Sequence, residues 1–128
     1  MSKENHYVNH GMGTVRPYIY GNLDLLDFVR EVFGAEEVER HAMGGGFHVE
    51  ARIGDSIIVI EAGSFPPDAK VTRNSIYVYV PDVDRAYKRA IEMGATSIGA
   101  PENKPYKERQ CGVKDSFGNT WWIATYTG

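Results

Sequence analysis

Residues 47–63 read FHVEARIGDSIIVIEAG, two runs rich in β-branched residues flanking Gly54-Asp55. A Gly-Asp pair between such runs is a two-residue hairpin turn. It puts Ile53 opposite Ser56 and thereby fixes every pair behind it. Ala51 then faces Ile58 and Val49 faces Ile60, which with Phe47 and Ile53 make one smooth apolar side. The other side pairs Arg52 with Ile57, Glu50 with Val59 and His48 with Glu61. The first side is fit to take a helix. The second mixes charge with aliphatic residues, as solvated surface does and as a ligand cavity does.

Upstream, TVRPYIYG (14–21) reads as a strand and LDLLDFVREVFGA as a helix stopped by Gly34. VERHAM is a strand joined to the hairpin by a GGG turn. Downstream, residues 63–73 hold two prolines and no period, and read as a linker. The order then restarts: SIYVYV as strand, VDRAYKRAIEMGA as helix, ATSIGAP as a short strand, NKPYKER as a polar loop, and QCGVKDSFGNTWWIATY as strand, turn and strand. Tyr18-Ile19-Tyr20 matches Tyr77-Val78-Tyr79, Leu23-Asp24 matches Val83-Asp84, and Gly34-Ala35 matches Gly94-Ala95. Self-similarity at a period of about sixty residues marks a reused unit, here β-α-β-β-β. The expected architecture is α+β: a loose polar tail (1–13), a first βαβββ module (14–62), the linker and a second module (74–128). Together they make one structural domain with a curved mixed sheet around a cleft. In both modules strand alternation leaves Tyr18, Tyr20, Tyr77, Tyr79 and Trp122 on the side away from the helix. So many aromatic rings in water would form a large apolar patch, which enclosing them in a cleft avoids.

Composition narrows the function classes. The 128 residues are 42% hydrophobic and 24% charged, which suits an ordinary folded domain and not a disordered chain. A net charge of −3 without a basic block speaks against nucleic acid as partner. The single Cys111 forms no internal disulfide, and no apolar run reaches the ~18 residues that span a bilayer. With no signal-like apolar stretch at the N-terminus, the expectation is a cytoplasmic protein with no membrane partner.

The stretches PYIY, DFVREVFGAEEV, FHVEARIGDSIIVIEAG, IYVYVPDVDRAYKRAIEMGA and VKDSFGNTWWIAT resemble the vicinal oxygen chelate superfamily. That superfamily includes glyoxalase I, bleomycin resistance proteins and extradiol dioxygenases, and the local wording is similar to its PhnB-like branch. The resemblance implies paired βαβββ modules around a cleft, often in a homodimer. In metal-dependent members the first and last strands of both modules each supply one ligand. The corresponding positions here are Thr14 to Arg16, Glu61, Ser75 and Ala124, of which only Glu61 matches. One carboxylate does not hold a transition metal, so no cofactor is expected, and a divalent metal would need an unusual ligand set.

The candidate site residues follow from the second faces. His48 and Glu61, directly opposed, could act as an acid/base pair, contact a ligand, or satisfy each other structurally. Arg16 and Arg52 suit an anionic group, although Arg52 could instead pair with Glu50. The five aromatic residues suit stacking on a planar ligand or packing across the cleft. Cys111 reads as an inert small hydrophobe, with Arg109, itself a candidate ligand contact in the cleft, its only nearby activator. His6, His10 and His41 show no metal spacing, and phosphate-binding or Ser-His-Asp motifs are absent. The expected function is binding of a small aromatic or amphipathic molecule in a cleft lined by Tyr18, Tyr77, Tyr79, Trp122, His48, Glu50, Arg52 and Glu61. The alternative is a lyase, isomerase or dioxygenase-type enzyme that uses His48 and Glu61 or an unusual metal site.

Overall fold

The hairpin forms in the register its sequence dictates, with Gly54 at φ 58° in the turn and pairs running from Ile53–Ser56 to His48–Glu61. It belongs to a computed structural model that describes residues 6–63 and 71–128. The first module comprises β1 (Tyr18–Gly21), α1 (Leu23–Phe33), β2 (Glu36–Met43), β3 (Gly46–Ile53) and β4 (Ser56–Ala62). The second comprises β5 (Ser75–Tyr79), α2 (Val83–Glu92), β6 (Thr96–Lys104), β7 (Glu108–Lys114) and β8 (Thr120–Tyr126). Each module is a mixed four-stranded sheet, ordered β1-β4-β3-β2 and β5-β8-β7-β6, with β1 parallel to β4 and β5 parallel to β8. The repeat read from sequence is therefore a structural repeat. Of the expected linker, residues 64–70 lie outside the described residues.

Local chemistry sets the helix ends. The Asn22 side chain accepts from the Asp24 amide at the start of α1, and Gly34 closes it at φ 69°. The α1 residues Leu25, Leu26, Phe28, Val29 and Val32 are buried. On α2 the buried residues are the smaller Val83, Ala86 and Ala90.

The modules share one core. Trp121 of β8 is wholly buried, and its ring lies 6.0 Å from Phe28 and 5.1 Å from Phe33, both on α1. Asp115, also buried, organises the turn before β8. Its Oδ1 accepts from the amides of Phe117 (2.9 Å) and Asn119 (3.0 Å), and its Oδ2 from Asn119 Nδ2 (3.0 Å) and Trp121 Nε1 (2.8 Å). Asn119 Oδ1 accepts from the Asn74 amide, and the Asn74 side chain donates to the Tyr18 carbonyl at 2.9 Å. The sheets thus meet at their β1 and β5 edges. On the outer side Arg89 of α2 pairs with Glu31 of α1 at 2.9 Å. With both helices in one layer, the opposite faces of both sheets look to the same side.

Three sequence expectations need correction. The first strand begins at Tyr18 and not at Thr14, because Arg16 turns its side chain into hydrogen bonds with its own segment. The tail is not loose over residues 6–13: it contains a 3-10 turn at Asn9–Gly11 and packs on the first sheet. The polar loop NKPYKER shrinks to residues 105–107, since β6 runs on through Pro101 to Lys104 and β7 starts at Glu108. Register shifts around Gly99 absorb the irregularity, and β6 is an edge strand, where proline is tolerated.

Asp115→Asn tests the turn at constant shape. It presents an amide N–H to donors that now share a carboxylate oxygen, and should cost about 2 kcal/mol in urea unfolding. A loss below about 0.5 kcal/mol, the usual effect of a surface substitution, would mean the network is not structural.

Candidate functional site

The helix-free face of the first module carries an unbroken polar network. His48 sits between two carboxylates, with Nδ1 2.6 Å from Glu61 and Nε2 3.2 Å from Glu50. Tyr18 also bonds Glu61. Glu50 is buried and accepts from Arg16 Nη1 at 3.0 Å. Burial opposes protonation of His48, but its hydrogen bonds to Glu61 and Glu50 outweigh that, and its affinity for the proton is raised. When protonated, His48 donates from both nitrogens, one to each carboxylate, leaving no lone pair to take a proton from a substrate. Tyr18 is shifted upward by burial and by Glu61, so its hydroxyl stays protonated.

The N-terminal segment covers this network. Arg16 donates to the carbonyls of Gly13 (2.7 Å), Met12 (2.9 Å) and Asn9, which leaves little of its guanidinium for an external anion. Gly13, at φ 71°, lies against Ile57, where a Cβ would come within 3.0 Å of the Ile57 Cβ. Ile57 is consequently as buried as the helix-side residues. His10 reaches Glu39 at 3.0 Å and Glu50 at 3.6 Å, and His41 also bonds Glu39. A register shift at Val38 brings Glu39 and His41 onto the same face as Glu50 and His48. Sequence spacing missed His10 and His41 because this shift and the folded tail bring them in. His10, Glu39 and Glu50 have ligand atoms within 4.8 Å of one another. A divalent ion there would have to compete with Arg16 for Glu50 and with Asn9, 3.1 Å from Glu39. Arg52 does not pair with Glu50 but with Glu36, at 2.7 Å on the rim.

The second module's face is aromatic. Trp122 is anchored by Nε1 to Ser75 Oγ at 3.1 Å, and its ring lies over Gly112, where an added Cβ would sit 2.5 Å from a ring carbon. The indole therefore spans β5, β8 and β7 as a flat floor. Tyr77 and Tyr79 stand edge to face, 5.5 Å apart at 62°, as Tyr18 and Tyr20 do at 5.5 Å and 61°. Both second-module hydroxyls donate to Glu108, one to each oxygen, and Gln110 donates to Tyr77 at 3.0 Å. Burial and the Glu108 bond push the Tyr77 hydroxyl up to about 12, and the same carboxylate raises Tyr79.

One sequence reading fails here and one agrees. Arg109 does not face the cleft: it lies on the helix side and binds Asp84 of α2 with both arms, at 2.9 and 3.0 Å. Cys111 on that same side is buried, and burial pushes its thiol up to about 11, so it is no nucleophile. Glu108 and Gln110 went unnoticed because they read as loop and strand start. Continuing the β7 alternation back from Gly112 would have put both on the aromatic face. An open groove of about 570 Å³ lies away from these residues, between α1 and α2, with Arg89 on its rim paired to Glu31 and Glu92.

Residues 24–123 match the family model of the glyoxalase/bleomycin resistance protein/dioxygenase superfamily. The chain belongs to that superfamily. No match is found among curated proteins. Among solved structures, TioX from Micromonospora sp. ML1 is similar at 24% identity over 88% of this chain and 95% of that one, with a TM-score of 0.69. TnmS3, an antibiotic binding protein from Streptomyces sp. CB03234, is similar at 19% identity over 88% and 96%, with a TM-score of 0.64. The fosfomycin resistance protein FosX from Mesorhizobium loti is similar at 19% identity over 91% of each chain, with a TM-score of 0.63. These likenesses establish the superfamily fold. Among the described residues no helix is long and apolar enough to cross a membrane.

The His48 cradle has a pH signature. A group whose proton affinity is raised by folding stabilises the fold fully below its unfolded pKa, near 6.5, and less as pH rises through the folded value. Stability should therefore decline as pH is raised above 6.5, and the His48 NMR titration midpoint should lie above 6.5 and fall in Glu61→Gln. A midpoint at or below 6.5 would contradict the two-carboxylate cradle.

Proposed function

We propose that the chain is a small-molecule binding protein whose ligand, an aromatic or amphipathic molecule, rests on the helix-free face of the second module. The observation that carries this reading is the Trp122 floor, held flat by Gly112 beneath it and Ser75 beside it and flanked by Tyr77 and Tyr79. An aromatic surface with a few convergent polar groups is the usual form of a small-molecule site. The similarity to TnmS3, an antibiotic binding protein, supports the same class.

The metal-dependent members' chemistry does not suit this donor set. At the positions corresponding to their ligands, Arg16 is a guanidinium tied to Glu50, Ser75 holds Trp122, Ala124 offers no donor, and Glu61 is bound to His48 and Tyr18. The acid/base alternative is weaker for the same reason, since both His48 nitrogens are spent on carboxylates. The reading includes a homodimer, the commonest symmetric assembly, and a cytoplasmic location, consistent with the buried thiol of Cys111.

A screen of planar aromatic compounds by thermal shift tests the site. At 100 times its dissociation constant a ligand should stabilise the fold by about 2.7 kcal/mol. Trp122→Ala should lose that shift while staying folded, and Gly112→Val, which pushes the indole off its floor, should lose most of it. Ligand shifts unchanged in both variants would overturn the assignment. Sedimentation should give a species of twice the 14.3 kDa chain mass, and a monomer at micromolar concentration would refute the dimer.

A further inference from the structure

We infer that the aromatic face of the second module selects organic cations: a protonated amine or quaternary ammonium carried on a planar or apolar body. This rests on the ligand reading above and names the ligand's charge. The carrying observation is Glu108, a carboxylate only 7% exposed. Its hydrogen-bonding needs are met by Tyr77 and Tyr79, one hydroxyl on each oxygen. Its charge is not met. Among the described residues no Lys, Arg or His forms an ion pair with it. Lys104, directly across the ladder, turns to Glu102, and the next residue along β7, Arg109, faces the helix side and binds Asp84.

Neutral donors reduce the cost of burying a carboxylate but leave its field in place. The field emerges through aromatic rings. Tyr77 and Tyr79 are 43% and 61% exposed, and Tyr126, opposite Glu108 on β8, is 61% exposed. Ring faces are the negative pole of the aromatic quadrupole and attract cations. Hydroxyls that donate to a carboxylate push electron density into their rings, which adds to that attraction. A cation over Tyr77 and Tyr79 would meet both the ring faces and the charge beneath them, with its apolar body on the Trp122 floor. An anion would meet the reverse. The arginines that could have received one, Arg16, Arg52 and Arg109, are each committed to a carboxylate of the chain itself.

The test compares three probes of one shape: naphthylmethylammonium, naphthylmethanol and naphthoate, titrated by calorimetry. The cation should bind about tenfold more tightly than the alcohol, and naphthoate most weakly. Glu108→Gln, which keeps the shape, should bring the cation to the alcohol's affinity while leaving the alcohol unchanged. In the unsubstituted protein, raising salt from about 0.05 to 0.5 M should weaken the cation and not the alcohol. Equal binding of cation and alcohol would overturn the inference and leave the ligand reading standing. A cation preference that survives Glu108→Gln would overturn the role of Glu108. Failure of all three probes, with no Trp122-dependent ligand in the wider screen, would remove the ligand reading together with the inference.

Discussion

The fold depends on one side chain reaching across the module boundary. Trp121 starts on a strand of the second module, packs its ring against Phe28 and Phe33 on the helix of the first, and hands its N–H to Asp115. Burial of a large ring contributes on the order of 2–3 kcal/mol, but placement is the greater effect. The carboxylate that orients the indole also shapes the turn holding Asn119, and Asn119 holds Asn74, whose side chain reaches the β1 edge. Helix layer, inter-sheet seam and turn are thus fixed by one buried polar group and one ring. The common direction of the two helix-free faces, and with it any cleft, follows from that linkage.

The modules repeat in backbone but differ in what they do with their free face. In the first, Glu61, His48, Glu50 and Arg16 satisfy one another, and the chain's own N-terminal segment lies on top. In the second, the equivalent register positions hold Ala124, Gln110, Gly112 and Ser75. The small residues among them make room for a ring to lie down, where bulkier ones would force it upright. A duplicated unit has thus given one half to self-contained electrostatics and left the other as an open aromatic surface.

Much of this was legible from residue order. The hairpin register came from one Gly-Asp turn, because a period-two side-chain pattern leaves no freedom once a single pair is fixed. The helices came from their stripes and caps. The failures share a cause: they concern features decided by distant contacts. Arg109 lies among polar residues that read as a loop, and only its pairing with Thr125 reveals the face it points to. His10 gains its partners because Arg16 folds the tail back, and His41 gains its own because of an extra residue in β2. Neither event has a local signal.

The Arg16 clip has a consequence for anyone handling this chain. Residues 9–13 owe their path to carbonyls gathered around a single guanidinium, and that guanidinium also neutralises the buried Glu50. Trimming these residues as a dispensable leader would uncover Ile57 and strip Arg16 of its backbone acceptors. A shortened chain would gain an adhesive spot on its helix-free side, and aggregation caused by the cut could then be mistaken for an intrinsic oligomer.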